Sequence, residues 1–311
     1  MPSLFSVFSA GEIRFGRGQL DTVAGWVAQR AERVMLVHGS SPARAAVLLG
    51  QLAGAGLNVH TFSVAREPSL EDIRNGAEQA REASIELIVS LGGGAVIDAG
   101  KAIAALVPAN GSIIEYLEVV GNGRLLEFHP LPFVAIPTTA GTGAEVTKNA
   151  VISVPEYHRK VSLRDDRMLP DLAVIDPSLT DKTPRSVTLA SGLDALTQVI
   201  EPYVCTRANC GTLLPYGLEM NIENVTSEER LSRLEEIRDV LARSFSVPSG
   251  QAFKALIDWS HRHGLGTLRE LGVPYDALEV AAEAALNASS MRANPAKLNQ
   301  SQLLSLLHKA W

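Results

Sequence analysis

The sequence predicts an α/β domain built on a doubly wound parallel sheet, followed by an all-α domain. Three observations carry this expectation. Strand and helix signals alternate from the N-terminal region to Asp176. A triple glycine joins a continuous apolar strand to a helix. From about Thr183 onward strand signals stop and helical periodicity runs to the end. Strands alternating with helices imply a parallel sheet covered by helices.

Taken in order, residues 4–15 alternate enough for strand structure with a turn at Gly11, and Leu20 to Ala31 suits a helix. Arg33 to Gly39 is an apolar strand ending in Gly39-Ser40-Ser41-Pro42. Pro42 fits the first turn of a helix reaching Ala55, because its missing N–H and fixed φ cost nothing there. Leu57 to Val64 is a second strand. Ser69 then caps a helix with Glu71 and Asp72 in its first turn, where carboxylates favour the positive end of the dipole. Leu87 to Leu91 is a short β-branched apolar run, hence a buried strand. Gly92-Gly93-Gly94 leads from it into a helix over Ala95 to Leu106. Leu131 to Ile136, Val151 to Val154 and Leu172 to Ile175 are further strands, and Asp176-Pro177 ends the last. The boundary is placed near Thr180, giving domains over residues 1–180 and 181–311.

A strand, a glycine turn and a helix together aim free backbone N–H groups at an anion, with the helix dipole assisting. Glycine matters because a Cβ blocks close approach of the backbone. The same residues also serve a tight turn that binds nothing, and they do not form the G-x-G-x-x-G fingerprint. Pro137 to Val146 places Thr138, Thr139 and Thr142 with two glycines in a loop after a strand. Such hydroxyls reach a phosphate or an amide, or else satisfy backbone groups locally. Gly39, Gly92 to Gly94 and Thr138 all fall at the carboxyl ends of strands, where parallel sheets bind ligands. Their convergence favours a ligand site over a set of unrelated turns.

Composition narrows the function classes. The 311 residues are 46% hydrophobic and 20% charged, with a formal net charge of −6. That fits a globular protein with a substantial core. No dense Lys/Arg block occurs, which argues against a nucleic-acid partner. The longest apolar runs fall short of a bilayer span, so no membrane partner is expected. Met1 to Gly11 lacks the pattern of a secretory signal. Cys205 and Cys210 are the only cysteines. They are too few for a disulfide framework, so they read as free thiols in a cytoplasmic protein.

In the helical region, Asp194 and Gln198 stand four apart on one helix face. Side chains so placed share a metal or form a polar stripe, and glutamine is a poor transition-metal ligand beside histidine. His261 and His263 are two apart, so on a helix they diverge and read as exposed residues near its end. His38, His60, His129, His158 and His308 are scattered and receive no role.

These motifs together resemble the iron-containing (group III) alcohol dehydrogenase family. The matching stretches are Gly92-Gly93-Gly94 with Asp98 and Lys101, Pro137 to Val146, Asp176-Pro177, Gly192 to Leu196, and the tail from Leu268 to Trp311 with Asn294-Pro295. The resemblance covers most of the chain, with its motifs in the family's order. It implies a dehydroquinate synthase-like nucleotide-binding domain, then a helical domain, with metal and substrate in the cleft between them. It implies that Gly93, Gly94 and Ala95 contact the pyrophosphate of NAD or NADP, with Asp98 among the cofactor residues. It also implies that Thr138, Thr139 and Thr142 line the cofactor, with Lys160 near its ring.

The departures lie in the metal site. The family holds Fe²⁺ or Zn²⁺ through one aspartate and three histidines. Asp194 matches the aspartate, but the histidine expected one turn later is Gln198. The other two belong upstream of a stretch matching Leu213-Leu214-Pro215-Tyr216. Here the chain passes from Asn209 directly to Cys210, and the histidine-bearing segment is absent. Tyr216 stands where the family often has a further histidine. The expectation is a weak or absent metal site, with Gln198 and Tyr216 left as candidates to polarise a carbonyl.

At the end of the first nucleotide-domain strand, the family's ribose-binding position is Gly39, followed by Ser40, Ser41 and Arg44. No carboxylate there repels a 2′-phosphate and Arg44 attracts one, which favours NADP. The same residues also read as a turn and an exposed helix cation. The function expected is hydride transfer between a nicotinamide and a small alcohol or aldehyde, with impaired or metal-independent catalysis. The alternatives are a non-catalytic nucleotide-binding remnant and a dehydroquinate synthase-like chemistry. The threonine-glycine loop speaks against the last. Loss of helices would bare apolar faces, so repacking or homo-oligomerisation is expected.

Overall fold

A computed structural model describes residues 8–204, 214–263, 266–286 and 294–311, with 199–204 and 214–216 described by backbone alone. Residues 4–7 of the expected first strand, Cys205, Cys210, Leu213 and the Asn209–Cys210 junction lie outside the described residues, as does the Tyr216 side chain. The chain divides into two compact units, Met1–Thr183 and Pro184–Trp311.

The first unit opens with β1 (Glu12–Phe15) and α1 (Val23–Ala28). The helix expected over Leu20 to Ala31 is split, with a tight 3₁₀ turn at Gln19–Thr22 preceding α1. Then follow β2 (Arg33–His38), α2 (Pro42–Gly54), β3 (Asn58–Ser63), α3 (Leu70–Glu82), β4 (Leu87–Gly92) and α4 (Gly94–Leu106). Ser69 caps α3 as its sequence indicates: its hydroxyl accepts the Asp72 N–H at 3.1 Å and the Asp72 carboxylate accepts the Ser69 N–H at 2.8 Å. β5 (Phe133–Pro137), β6 (Asn149–Val154), β7 (Arg159–Arg164) and β8 (Leu172–Ile175) complete the unit.

Six of these strands form one sheet in the order β1-β8-β5-β4-β2-β3, every neighbouring pair parallel. The period of two sends alternate side chains of β2 to opposite faces. Met35 and Val37 join the cluster under α3 and α4, while Val34 and Leu36 join the cluster under α1 and α2. β4 is central and buried throughout its length. The chain leaves β2 for β3 on one side, then returns across β2 to lay down β4 on the other. The order therefore reverses between β2 and β4, and a crevice opens at their carboxyl ends.

β6 and β7 stand apart as an antiparallel pair, with Ile152 opposite Val161 and Ser153 opposite Lys160. β7 is absent from the sequence reading. Its apolar residues are only Val161 and Leu163, both buried, and charged neighbours mask the alternation.

The second unit is helical: α5 (Arg185–Val204), α6 (Leu214–Asn224), α7 (Glu228–Phe245), α8 (Ala252–Arg262), α9 (Ala277–Leu286) and α10 (Gln300–Ala310). Leu218, Leu234, Ile237 and Phe253 form a small core among α6, α7 and α8. A closed amide pair ties the tail to α6. Asn294 Nδ2 donates to Asn221 Oδ1 at 2.7 Å, Asn221 Nδ2 donates to Asn294 Oδ1 at 3.1 Å, and Ala296 N–H reaches the same Asn221 oxygen at 3.1 Å. Mutual satisfaction lets the buried Asn221 stay in the interior without an unpaired dipole.

Candidate functional site

The site grows from the junction of β4 and α4. Gly93 is the N-cap of α4 and offers no side-chain cap, so the first N–H groups of a 13-residue helix point outward without a partner from a capping residue. The three glycines differ in why they are glycine. A Cβ on Gly92 would lie 2.6 Å from the Val96 side chain, so packing forbids it. A Cβ on Gly93 would meet Thr139 at 3.6 Å and one on Gly94 would meet Thr142 at 3.4 Å, both ordinary contacts. Neither Gly93 nor Gly94 has a positive φ. The fold does not require these two glycines, and their missing side chains leave the helix head open. A negatively charged group fits there by geometry and by the dipole.

The threonine loop stands beside that helix head. Thr138 N–H donates to Gly92 O at 2.9 Å, fixing the loop's start to the end of β4. Gly141 (φ 139°) and Gly143 (φ 64°) carry the chain through left-handed conformations. Thr142 Oγ1 accepts the Ala144 N–H at 3.4 Å. Thr139 Oγ1 is buried and makes no hydrogen bond among the described residues, although Gly93 is its neighbour. An orphaned hydroxyl beside an uncapped helix is an arrangement that a polar ligand completes.

Below the helix head, α4 carries a buried cation. Lys101 is 1% exposed, and its Nζ donates to Ala144 O and Thr147 O, both at 2.7 Å, to Asn149 O at 3.0 Å and to Thr147 Oγ1 at 3.1 Å. Burial pushes the Lys101 ammonium down to about 8, opposed by the Asp98 and Glu145 carboxylates. Asp98, one turn earlier, accepts the Val151 N–H at 3.1 Å. Burial raises its carboxyl to about 6, with the Lys101 charge opposing. Each charge favours the ionised form of the other. Glu145 Oε2 is a second buried oxygen without a partner among the described residues.

At the end of β2, the His38 ring donates from Nδ1 to the Gly39 carbonyl at 2.6 Å. Gly39 has an ordinary φ, and a Cβ there would meet only Val96, at 4.0 Å, so space is open around it. Ser41 caps α2 without a side-chain hydrogen bond, and Ser40, Ser41 and Arg44 are exposed. Arg44 enters no ion pair among the described residues. Lys160 lies on the β6–β7 hairpin, 2.6 Å from the Glu67 carboxylate, with both side chains more than half exposed.

The helical unit gives a different result. Gln198 Nε2 donates to Asp194 Oδ2 at 2.7 Å, so the pair is joined as an amide–carboxylate contact. No group of three His, Cys, Asp or Glu side chains among the described residues is arranged to hold a metal. His263 donates from Nδ1 to Trp259 O at 2.7 Å and packs on the Trp259 ring at 4.5 Å, which commits it to its own helix end. His261 is exposed. A cavity of about 320 Å³ lies between α5 and α8, lined by Arg185, Leu193, Trp259 and His263 among others, and neither Asp194 nor Gln198 reaches it.

The first unit thus brings Gly93, Gly94, Ala95, Thr138, Thr139 and Thr142 to one helix head, with Gly39, Ser40 and Ser41 at the end of the adjoining strand. Sequence reasoning gives no role to the burial of Lys101 or to Glu145. The only signal is a lysine seven residues beyond an apolar helix's first glycine.

A parallel doubly wound sheet with an open helix head at its order reversal defines a class of α/β protein whose crevice accepts an anionic ligand. The match to known proteins places it within that class: residues 10–177 fit the family model for iron-containing alcohol dehydrogenase, and the chain belongs to that family. The chain is 40% identical over 155 residues to long-chain-alcohol dehydrogenase 1 of Geobacillus thermodenitrificans, covering 50% of this chain and 38% of that one. It is 36% identical over 201 residues to alcohol dehydrogenase 4 of Saccharomyces cerevisiae, covering 63% and 51%. The match thus spans about half or less of these curated relatives' length. The fold also matches an archaeal halo-thermophilic Red Sea brine pool alcohol dehydrogenase, with a TM-score of 0.84, 20% identity and full coverage of both chains.

Proposed function

We propose that the first unit binds a nicotinamide dinucleotide with its diphosphate on the head of α4, and that the chain acts as an alcohol or aldehyde oxidoreductase. The observation that carries this is the pair Gly93 and Gly94, which neither backbone conformation nor packing explains. When bound, the nicotinamide supplies or accepts a hydride. The chain's own contributions are positional. Backbone N–H groups of Gly94 and Ala95 receive the diphosphate charge, Thr138, Thr139 and Thr142 border the cofactor, and Asp98 braces the helix behind it. Lys160, on its hairpin, serves the ring end. The partly open β2 end, with Ser40, Ser41 and Arg44, which enters no ion pair among the described residues, suits the 2′-phosphate of NADP better than a bare ribose.

The metal part of the family chemistry does not fit this donor set. Asp194 offers one carboxylate, and that carboxylate already holds the Gln198 amide. One oxygen ligand competes poorly with water for a divalent cation. No step is therefore routed through a metal, and Gln198 and Tyr216 are the candidates to hydrogen-bond a substrate oxygen. The same Asp194–Gln198 contact supports a second reading, a nucleotide-binding chain without turnover. The reading extends to a cytoplasmic homo-oligomer acting on a small alcohol or aldehyde.

Oxidation of NADPH by a panel of short aldehydes, with and without added Fe²⁺ or Zn²⁺, separates the two. Turnover without added metal supports the oxidoreductase. Nucleotide binding with no oxidation under any condition supports the second reading.

A further inference from the structure

We propose that Lys101 is a positioning residue for the nicotinamide half of the cofactor: it holds the threonine loop in register with the phosphate-binding helix head without touching the cofactor. The proposal rests on the α4 reading above.

An ammonium has three N–H groups. Those of Lys101 face four oxygens, three of them main-chain carbonyls spread over Ala144 to Asn149. Every donor is committed and the residue is buried, so none remains for a phosphate. The charge instead substitutes for a stretch of backbone pairing that the loop cannot make with itself. Asp98, on the same face of α4, takes the Val151 N–H and anchors the far end of the same segment. The near end is pinned by Thr138 N–H on Gly92 O. Thr139, Thr142 and the two left-handed glycines are therefore strung between two fixed points on β4 and α4. Glycines in such a loop give it freedom that only its anchors remove.

Thr139 Oγ1, buried and without a hydrogen-bond partner among the described residues, stands on the segment so anchored. A hydroxyl held buried and unpartnered is kept in place by the frame around it, ready for a ligand atom. Releasing Lys101 lets the loop relax and satisfy that hydroxyl locally, which removes the preorganisation that the nicotinamide end would use. The diphosphate end rests first on α4's own backbone, so it depends on the loop less than the nicotinamide end does.

The test compares NADPH with 2′-phospho-ADP-ribose, which lacks the nicotinamide, by calorimetry on the wild type, Lys101→Met and Lys101→Arg, each with a cooperative thermal melt. In the wild type NADPH binds more tightly than the fragment. In Lys101→Met that advantage is expected to shrink by about tenfold, the loss of roughly one charge-assisted hydrogen bond's worth of ordering, while fragment affinity stays within about threefold. Lys101→Arg, which keeps charge and donors, restores part of the advantage. An unchanged advantage in Lys101→Met, or an equal loss for both ligands, overturns the proposal. Should Lys101→Met fail to fold, Thr147→Val removes one acceptor and keeps the ammonium, and an unchanged NADPH-to-fragment ratio there overturns it too. A wild type that binds neither ligand overturns the cofactor reading itself, which is a separate result.

Discussion

Gly92 and Val96 pack so closely that a Cβ on Gly92 would sit 2.6 Å from the Val96 Cβ, whereas two residues on, a Cβ on Gly94 would find ordinary contact with Thr142 at 3.4 Å. Gly92→Ala is therefore expected to lose about 1–3 kcal/mol to overpacking. Gly94→Ala, at the first position of a helix, is expected to hold stability within about 1 kcal/mol or gain slightly. Urea melts of the two variants check this. Equal destabilisation would show that both glycines serve packing alone.

Arg44 and Gly39 set the expected cofactor preference. Arg44→Ala is expected to weaken NADPH by about tenfold, as for one lost charged hydrogen bond, and to leave NADH unchanged. Gly39→Asp is expected to turn the preference toward NADH, because a carboxylate takes the ribose 2′-OH and repels the phosphate. Fluorescence titration with both nucleotides reads the ratio. A parallel loss for both in Arg44→Ala would place that side chain away from the 2′ position.

The buried pair on α4 makes stability depend on pH in two windows. Asp98 is raised from 3.8 to about 6, so between those values the folded chain keeps a proton that the unfolded chain has released. Its contribution to stability falls as pH rises through that window and is constant above it. Lys101 is lowered from 10.5 to about 8, so above pH 8 the unfolded chain holds a proton that the folded chain lacks. Its contribution rises with pH from about 8 to 10.5. The groups that face the pair are Glu145 for Lys101 and Glu67 for Asp98. Relative to the wild type, Asp98→Asn is expected to remove the fall between about pH 4 and 6 in denaturant melts. A difference curve flat across that range would contradict it.

Gln198 already occupies one oxygen of Asp194. Chain equilibrated with Fe²⁺ or Zn²⁺ and then desalted is expected to retain well below one metal per chain by elemental analysis. Asp194→Asn is expected to leave dinucleotide affinity unchanged. Stoichiometric metal that disappears in Asp194→Asn would restore the family's metal chemistry to this chain.

The second unit exposes large apolar side chains, among them Leu271 at 63%, Val280 at 68% and Leu196 at 44%. Burying such surface favours self-association. Light scattering after size exclusion is expected to give a mass above that of one chain. A clean monomer that binds no hydrophobic dye would contradict this.

The sheet is legible because its strands carry their burial in composition. Val34 to Val37 and Leu87 to Val89 are apolar on every position, as strands covered on both faces must be. The α3 cap is legible because Ser69 and Asp72 have the right types at the right spacing. β7 is not, since a hairpin with two apolar residues among charges looks like loop. The helix head is visible as glycines, but which of them packing requires and which it leaves open depends on Val96, Thr139 and Thr142, whose proximity only the fold creates. The same holds for Lys101, whose partners lie more than forty residues away in sequence.

The most direct test of the central claim is calorimetric titration of NADPH into the wild type and into Gly94→Ala. Saturable one-to-one binding to the wild type is expected, weakened by about tenfold or more in a variant that melts like the wild type, because a methyl then stands at the open helix head. Undiminished affinity in Gly94→Ala, or no heat with the wild type for either NADPH or NADH, would contradict it.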